Sequence, residues 1–301
     1  MANKYDLIIL GAGPAGLTAA VYASRYMINT LIIGKIPGGL ITSAHEVCNF
    51  PTYGKIKGFD LAQKMLEQVK NANIQLKMEE ANEISGKDGS FEVKTKSNSY
   101  TAKKIIIAIG TERRKLNIKG EKDFLGRGVS YCATCDAPLY KNKTACVVGG
   151  SDAALTAALL LAEYAKKVYI IYRKEKFFRA EPTWIEHVKK NTKIEPVFSA
   201  NIDEIYGGGK VEGVKLDSGR EIKLDGVFIE AGSIPDERFS KQLGLKSEDS
   251  YIIVNKKQET NVRGVFAAGD ITNNPLKQAV TAAGEGSVAA NSAYEEIGAE
   301  K

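Results

Sequence analysis

The feature that most constrains this chain is a segment that occurs twice. Residues 7–34 read LIILGAGPAGLTAAVYASRYMINTLIIG, and residues 145–172 read ACVVGGSDAALTAALLLAEYAKKVYIIY. Aligned without a gap, the two copies place Gly11 on Gly149 and share the sequence LTAA at 17–20 and 155–158. Each copy is an apolar strand, a glycine turn, an alanine-rich helix and a second apolar strand, which is the βαβ unit that opens a nucleotide-binding fold.

The glycine turn of the first copy has the spacing of a dinucleotide-binding fingerprint. Gly11, Gly13 and Gly16 follow an apolar strand and precede a helix. In such a turn the first glycine permits the tight bend, the second lets the backbone approach a pyrophosphate, and the third allows close packing of helix on strand. Free N–H groups at the helix N-terminus then favour phosphate. The first copy therefore predicts a dinucleotide site.

The second copy is a looser version of the same turn. Ser151 replaces the second glycine and Ala154 replaces the third. Alanine is compatible with the helix packing, whereas the Cβ of Ser151 narrows the path of a pyrophosphate and its hydroxyl offers a donor to phosphate. Asp152 is placed to cap the helix that follows. We expect this copy to bind a second dinucleotide.

The strand that ends each copy lacks the acidic residue that usually binds a ribose diol. Gly34 stands at that position in the first copy and Tyr172 in the second. Three cations, Arg173, Lys174 and Arg179, follow Tyr172. Cations at this point suit a 2′-phosphate and hence NADP rather than NAD, although a basic surface turn would give the same pattern.

Two nucleotide units in one chain imply two cofactors, one of which passes electrons to the other. Residues 264–270, GVFAAGD, form a short apolar strand that ends in Gly-Asp. The carboxylate of Asp270 is placed to accept a hydrogen bond from a ribitol hydroxyl, so we assign a flavin to the first unit. The stretch 103–110, KKIIIAIG, reads as the point where the chain leaves the first domain, and residues 233–235 read as its return.

A pair of cysteines lies between the two copies. Cys132 and Cys135 are separated by two residues, and Asp136 follows at once. Cysteines at this spacing close a small disulfide ring and exchange electrons as a pair, because one thiol is activated while the other resolves the mixed disulfide. An adjacent acid gives or takes the proton that each thiolate step requires. Beside two dinucleotide sites, this motif predicts a redox-active dithiol.

A zinc site is the alternative for such a pair, but it usually needs a second pair of ligands. The remaining cysteines and histidines have no partner at a ligand spacing; they are Cys48, Cys146, His45 and His187. We therefore expect no metal ion.

Composition and charge exclude several other classes of protein. The formal net charge of +6 comes from lysines scattered along the 301 residues, which indicates a solvated surface rather than a nucleic-acid site. No apolar run approaches the about 20 residues of a membrane-spanning helix. The first residues, MANKYDLIIL, lack the pattern of a signal peptide. We expect a cytoplasmic protein that binds neither nucleic acid nor membrane.

Taken together, the motifs of this chain resemble those of low-molecular-weight thioredoxin reductases over nearly its whole length. They are GAGPAG at 11–16, PGGLIT at 37–42, VCNFP at 47–51, CATCD at 132–136, FFRAEP at 177–182, GVFAAGD at 264–270 and KQAVTAAGEG at 277–286. The resemblance implies an α/β chain of two Rossmann-like dinucleotide-binding domains of three-layer β/β/α architecture, the second inserted in the first. It implies an FAD-binding domain at 1–113 and 240–301, and an NAD(P)H-binding domain carrying the CxxC motif at 114–239.

The resemblance also implies a role for each motif. Cys135 would face the flavin and receive its electrons, Cys132 would attack the substrate disulfide, and Asp136 would act as general acid and base. The residues implied to hold FAD are Gly11, Gly13, Pro14, Ala15, Gly16, Gly34, Lys35, Gly38, Gly39, Leu40, Thr42, Asn49, Gly269, Asp270, Lys277, Gln278 and Ala279. The residues implied to hold NADPH are Gly150, Ser151, Asp152, Ala153, Arg173, Lys174 and Arg179.

The implied activity is that of a thioredoxin-disulfide reductase. Electrons would pass from NADPH through FAD and the Cys132–Cys135 disulfide to a thioredoxin-like or glutaredoxin-like protein, and the enzyme would be a homodimer. The family's GGGDSAxEE is GGSDAALTA here, its His-Arg-Arg is Tyr172-Arg173-Lys174, and its frequent glutamine is Leu40. These departures leave two alternatives open: a reductase that uses NADH or another donor, such as a reduced protein or a deazaflavin, and a flavin redox sensor that does not turn over.

Overall fold

The computed structural model describes residues 3–299. The chain forms two compact units, and the second is inserted in the first. The first unit comprises the residues up to 42, residues 47–112 and the residues from 234 onward, and the second comprises residues 43–46 and 113–233.

Two parts of this division differ from the boundaries expected from the sequence. Residues 234–239 lie in the first unit, because the helix that begins at Arg238 is anchored there. The Ile84 N–H donates to the Gln242 side chain at 2.8 Å, and Arg238 pairs with Glu80 at 3.2 Å. The segment 43–46, expected in the first domain, belongs to the second unit. Contacts of Ser43 with that unit, described below, account for its placement.

The strands are short. In chain order they are β1 (Asn3–Leu10), β2 (Thr30–Ile33), β3 (Gln75–Lys77), β4 (Ala81–Lys87), β5 (Ser90–Thr95), β6 (Ser99–Ile107), β7 (Thr111–Arg113), β8 (Val129–Ser130), β9 (Thr144–Val148), β10 (Lys167–Tyr172), β11 (Ile194–Phe198), β12 (Ile202–Tyr206), β13 (Gly213–Leu216), β14 (Glu221–Lys223), β15 (Gly226–Ile229), β16 (Ser233–Pro235), β17 (Ser247–Glu248), β18 (Tyr251–Ile252) and β19 (Val265–Ala267).

The helices include the two predicted by the repeat. They are α1 (Pro14–Arg25), α2 (Gly58–Asn71), α3 (Ala133–Asp136), α4 (Asp152–Tyr164), α5 (Pro182–Lys190), α6 (Arg238–Leu243) and α7 (Ala279–Ala299), with 3-10 turns at Gly39–Ser43 and Ala137–Tyr140. Among these helices of residues 3–299, none combines the length and the apolar character needed to cross a membrane.

The first unit is built on a sheet in the order β3-β2-β1-β6-β5-β4, with β19 also paired to β6. Strands β1, β2, β3, β6 and β19 are parallel, and β4 and β5 return antiparallel. Successive residues of β1 face opposite sides. Leu7 and Ile9 pack with residues of α1 and α7, whereas Ile8 and Leu10 pack with Phe91 of β5. A parallel sheet thus lies between helices and antiparallel strands.

The second unit repeats this design. Its parallel sheet has the order β11-β10-β9-β15-β8, and a separate antiparallel sheet has the order β12-β13-β14. Cys146 and Val227 of the parallel sheet share a buried core with Ile205 and Val214 of the antiparallel one. Helix α4 packs on β9 and β10. The predicted class is therefore confirmed: the chain is α/β with two Rossmann-like units, the second inserted in the first.

Candidate active site

The first glycine turn, at the carboxyl end of β1, has no room for a side chain. Gly11 has φ +109°, and a Cβ there would lie 2.1 Å from the carbonyl oxygen of Ala108. Its N–H donates to the carbonyl of Ile33 at 2.7 Å, which ties β1 to the end of β2. A Cβ on Gly16 would lie 2.0 Å from the Gly11 carbonyl oxygen, so the helix packs directly on the turn. These contacts explain the spacing of the motif.

Helix α1 presents its N-terminal N–H groups to this turn. Gly13 is the extended residue before the helix, and Pro14 occupies its first turn, where a missing N–H has no cost. Within the described residues, no side chain caps this end and its first turn carries no acid. The Gly39 backbone closes over the same place, since a Cβ there would lie 2.9 Å from the Gly13 Cα. Such a cradle of backbone fits a pyrophosphate.

The segment that follows β2 extends this cradle. Gly38 has φ +90° and donates its N–H to the carbonyl of Ala12 at 2.8 Å. Thr42 closes the 3-10 turn through a 2.8 Å bond to the Gly39 carbonyl, and Leu40 is exposed. Gly34 leaves the end of β2 without a side chain. Lys35, in contrast, is exposed and pairs with Glu80 at 3.0 Å.

Asp270 lies at the carboxyl end of β19 in the same unit, as the sequence predicts. Burial raises the pKa of its carboxyl, and the positive charge of Lys277 opposes this shift. No group in residues 3–299 donates a hydrogen bond to this carboxylate. Lys277 donates to the Thr272 carbonyl and lies 4.5 Å from the centroid of the Tyr251 ring. A carboxylate that accepts no hydrogen bond from these residues can accept one from a ribitol hydroxyl.

Two further contacts involve residues of the predicted flavin site that lie apart in the sequence. The Asn49 amide donates to the Gln278 side chain at 3.2 Å, although 229 residues separate them. Glu285, which the sequence analysis did not assign, accepts the Gly269 N–H at 2.7 Å and braces the turn before Asp270. Burial raises the pKa of Glu285, against the lowering effect of that hydrogen bond. Its place as a carboxylate inside the glycine- and alanine-rich stretch 282–286 is the signal that could have identified it.

The second glycine turn reproduces the first in detail. Gly149 has φ +146°, and its N–H donates to the carbonyl of Ile171 at 3.1 Å. A Cβ on it would lie 2.2 Å from the carbonyl oxygen of Glu230. Ser151 takes the place of Gly13 before α4, but its hydroxyl does not cap the helix. The Asp152 carboxylate accepts the Glu181 N–H at 2.7 Å, so it anchors the segment before α5 rather than capping α4.

The second turn differs from the first in what covers it. The Tyr172 ring lies over Gly150, where a Cβ would come within 2.6 Å of three ring carbons. Arg173, Lys174 and Arg179 beyond it are exposed. No acidic side chain within the described part of the chain pairs with these cations. The backbone and the cations therefore fit a dinucleotide with a 2′-phosphate.

Cys132 and Cys135 form a disulfide in the second unit, with their Cα atoms 5.3 Å apart. Cys132 is half-buried and precedes α3, whereas Cys135 is exposed. The Cys135 N–H donates to Cys132 Sγ at 3.2 Å, and the Cys132 N–H donates to Ser130 Oγ at 3.0 Å. A hydrogen bond to sulfur stabilises a thiolate more than a thiol. After reduction, Cys132 is thus the sulfur that this backbone stabilises as an anion. Asp136, directly after the pair, is half-buried.

A chain of polar contacts runs from this motif through the second unit. The Thr134 hydroxyl donates to the Ser43 carbonyl at 2.7 Å, and Arg113 donates to the Ser43 hydroxyl at 2.8 Å. Arg113 also pairs with Glu230 at 2.5 Å. Apart from the CxxC motif itself, these contacts were not predicted, because Ser43 and Glu230 lie 70 and 117 residues from Arg113 in the sequence.

Glu230 gives this network a pH dependence. Burial raises the pKa of its carboxyl to about 7 from an ordinary 4.5, and Arg113 offsets part of the effect. Between these two pH values the folded chain holds a proton that the unfolded chain has released, so the free energy of unfolding falls as pH rises. We expect Glu230→Gln to remove this dependence of the free energy of unfolding on pH. Between pH 4.5 and pH 7.5 the free energy of unfolding of the variant should therefore rise by about 3 kcal/mol relative to that of the wild type.

Denaturant unfolding of both proteins across that range measures the difference. Glu186→Gln, which removes an exposed carboxylate on α5, is the control and should track the wild type. A Glu230→Gln curve parallel to the wild type at all pH values would contradict the assignment.

In the part of the chain that the structure describes, no group of three or more His, Cys, Asp or Glu side chains could hold a metal ion.

Cys146 lies fully buried in β9, and burial raises the pKa of its thiol.

The fold and these sites define a chain of two Rossmann-like units with a disulfide in the second unit. The family model described as pyridine nucleotide-disulphide oxidoreductase matches residues 5–286. The thioredoxin reductase of Bacillus subtilis is 42% identical over 296 residues, which cover 96% of this chain and 93% of that protein. The chain belongs to the pyridine nucleotide-disulphide oxidoreductase family.

Solved structures agree with this assignment. The thioredoxin reductase of Lactococcus lactis superposes with a TM-score of 0.94 at 34% identity, covering 98% of this chain and 99% of that one. That of T. acidophilum superposes with a TM-score of 0.93 at 38% identity, again over 98% and 99% of the two chains. The predicted resemblance to thioredoxin reductases is confirmed, and the chain is an oxidoreductase of a family that uses a flavin and a pyridine nucleotide.

Proposed function

We propose that this chain is a thioredoxin-disulfide reductase that passes electrons through FAD and the Cys132–Cys135 disulfide to a thioredoxin-like protein. The observation that carries the proposal is the disulfide itself, formed on a nucleotide-binding unit with a backbone N–H directed at Cys132 Sγ. The near full-length similarity to proteins named thioredoxin reductase supports it.

The residues of this chain divide the chemistry between two sulfurs. When bound, FAD supplies the electron pair that opens the disulfide. Opening leaves a thiolate on Cys132, held by the Cys135 N–H, and a thiol on Cys135 after uptake of one proton. Cys132 attacks one sulfur of the partner's disulfide, which forms a mixed disulfide and releases the other partner sulfur as a thiolate.

The second half of the reaction restores the enzyme. Cys135 loses its proton, attacks Cys132 Sγ and reforms the disulfide, which releases the second partner sulfur. Asp136, the next residue in the chain, would take this proton and protonate a departing thiolate. Two electrons and the Cys135 proton have then moved to the partner, whose other thiolate takes its proton from water, and the sulfurs of the enzyme are again oxidised.

The cradle built by Gly11, Gly13 and Gly39 would hold the FAD pyrophosphate, and Asp270 would hold its ribitol. The other residues predicted to hold FAD all belong to the first unit; they are Pro14, Ala15, Gly16, Gly34, Gly38, Leu40, Thr42, Asn49, Gly269, Lys277, Gln278 and Ala279. Lys35, paired with Glu80, is the member of the predicted set that the structure supports least.

NADPH is the proposed electron donor. Arg173, Lys174 and Arg179 are exposed cations at the carboxyl end of β10, the place at which a 2′-phosphate is recognised. We expect NADPH to bleach the flavin at least about tenfold faster than NADH at equal low concentration, which corresponds to about 1.4 kcal/mol of phosphate recognition. Replacing Arg173 and Lys174 with alanine should remove that preference.

Anaerobic stopped-flow measurement of the flavin band tests this expectation. Lys176→Ala removes a neighbouring exposed cation outside the predicted set and should leave the preference intact. Bleaching by neither nucleotide would contradict NADPH as donor and assign the electrons to another source.

The proposal includes a homodimer in a reducing cytoplasm. Partly exposed aromatic side chains on α1 and α7, Tyr22 and Tyr294, form a cluster with Tyr26, whose ring stacks on Tyr294 at 4.6 Å. An apolar face of this kind suits contact with a second copy.

A further inference from the structure

The second glycine turn is covered by an aromatic ring. Tyr172 is the last residue of β10 and is only 8% exposed. A Cβ on Gly150 would lie 2.6 Å from Cε1, Cε2 and Cζ of the ring alike, so the face of the ring lies flat on this glycine. The ring therefore packs directly on the backbone of the turn that would receive a dinucleotide.

The internal repeat supplies a reference for this contact. In the gapless alignment Ala12 corresponds to Gly150, and Gly34 corresponds to Tyr172. These two positions face each other in the first unit too, since a Cβ on Gly34 would lie 2.7 Å from the Ala12 Cβ. The first unit fills the space with one methyl group and the second with a phenol ring. The two units therefore differ at both positions: the side chain lies on the turn in the first unit and on the strand end in the second.

Further aromatic contacts hold the ring in place. The Phe177 ring packs against it with an interplanar angle of 24° and centroids 6.0 Å apart. Phe198 then meets Phe177 edge-on at 4.9 Å. Because Tyr172 is packed between Gly150 and Phe177, displacing it gives up the ring contact with Phe177 and the packing on the Gly150 backbone.

We propose that Tyr172 lowers the affinity of the second unit for adenine dinucleotides, because its ring closes the ribose position. The residue at the end of this strand normally binds the adenosine ribose, so a ring on the turn and the ribose compete for one space. The dinucleotide binds only molecules in which the ring has moved, and the apparent affinity falls with their fraction. The inference rests on the proposed function, in which the second unit receives NADPH.

Equilibrium binding of NADP⁺ and NAD⁺ to the oxidised, flavin-loaded enzyme tests the proposal without turnover. In isothermal titration, Tyr172→Ala should bind both nucleotides at least about tenfold more tightly than the wild type does. Both nucleotides contain the ribose whose position the ring closes. Tyr172→Phe keeps the ring and should bind both within about twofold of the wild type. Phe177→Ala frees one face of the ring and should tighten binding by a smaller factor, which keeps the test available if Tyr172→Ala fails to fold.

Each other outcome overturns the proposal. Unchanged or weaker binding by Tyr172→Ala and Phe177→Ala would show that the ring is not a barrier. Tightening for NADP⁺ alone would place the effect at the phosphate. Reduction of thioredoxin by the same variants after reduction with dithionite reports on the proposed function separately, since it needs the dithiol but no nucleotide.

Discussion

The Cys132→Ser variant is expected to lose thioredoxin-dependent turnover by about a thousandfold or more, the largest effect of any single replacement in this chain. Serine keeps the size of the side chain but cannot form the mixed disulfide with the partner. The flavin should remain bound and should still be bleached by dithionite, because its cradle lies in the first unit. The loss is measured as the steady-state rate of thioredoxin reduction, monitored through the thiols that appear on thioredoxin.

Two matched variants complete this test. Cys135→Ser should retain a nucleophilic Cys132 and accumulate a mixed disulfide with thioredoxin, detectable by mass, because the resolving thiol is missing. Cys146→Ala removes a thiol that is fully buried in β9 and should leave turnover unchanged. Turnover by Cys132→Ser at near the wild-type rate would refute the assigned nucleophile.

The second large effect is expected at the first glycine turn. Gly11→Ala would force a Cβ to within 2.1 Å of the Ala108 carbonyl oxygen at φ +109°. The atoms nearest to this Cβ all belong to the backbone of Ala108 and Ile109. No side chain can therefore move aside, and the turn itself must shift. Backbone strain of this kind costs about 1–3 kcal/mol before any overlap is counted. We expect flavin affinity to fall by at least about a hundredfold, so that the protein purifies largely without FAD.

Gly149→Ala is the matched control, because it carries the same strain in the other unit. Its Cβ would lie 2.2 Å from the Glu230 carbonyl oxygen at φ +146°. This variant should keep its flavin and lose affinity for NADP⁺. Gly298→Ala, where an added Cβ meets nothing within 4 Å, controls for glycine replacement as such. Loss of flavin from Gly149→Ala and its retention by Gly11→Ala would reverse the assignment of the two units.

Features that depend on local sequence were the ones that could be predicted. The repeat located both glycine turns, because the spacing of Gly11, Gly13 and Gly16 is itself a local pattern, although the atoms that exclude a side chain at Gly11 belong to distant Ala108. The same holds for the cysteine pair and for Asp270 at the end of β19. Their partners are also their near neighbours in the chain.

Features that depend on distant contacts could not be read from one sequence. Arg113 binds Ser43 and Glu230, which lie 70 and 117 residues away, and no local pattern marks such pairs. Residues 233–235 were read from the sequence as the return to the first unit, whereas the boundary implied by the resemblance was 240; α6, anchored at distant Ile84, lies across that boundary. Tyr172 was identified as the strand-end residue, but the sequence does not specify that its ring lies on Gly150.

The central claim is that the Cys132–Cys135 pair delivers electrons to a thioredoxin-like protein. Its most direct test is anaerobic mixing of dithionite-reduced enzyme, freed of excess dithionite, with oxidised thioredoxin, because this omits the nucleotide. The account predicts rapid formation of reduced thioredoxin in at least stoichiometric amount by the wild type and none by Cys132→Ser. Reduced enzyme that leaves thioredoxin oxidised, or that reduces it equally well without Cys132, would contradict the account.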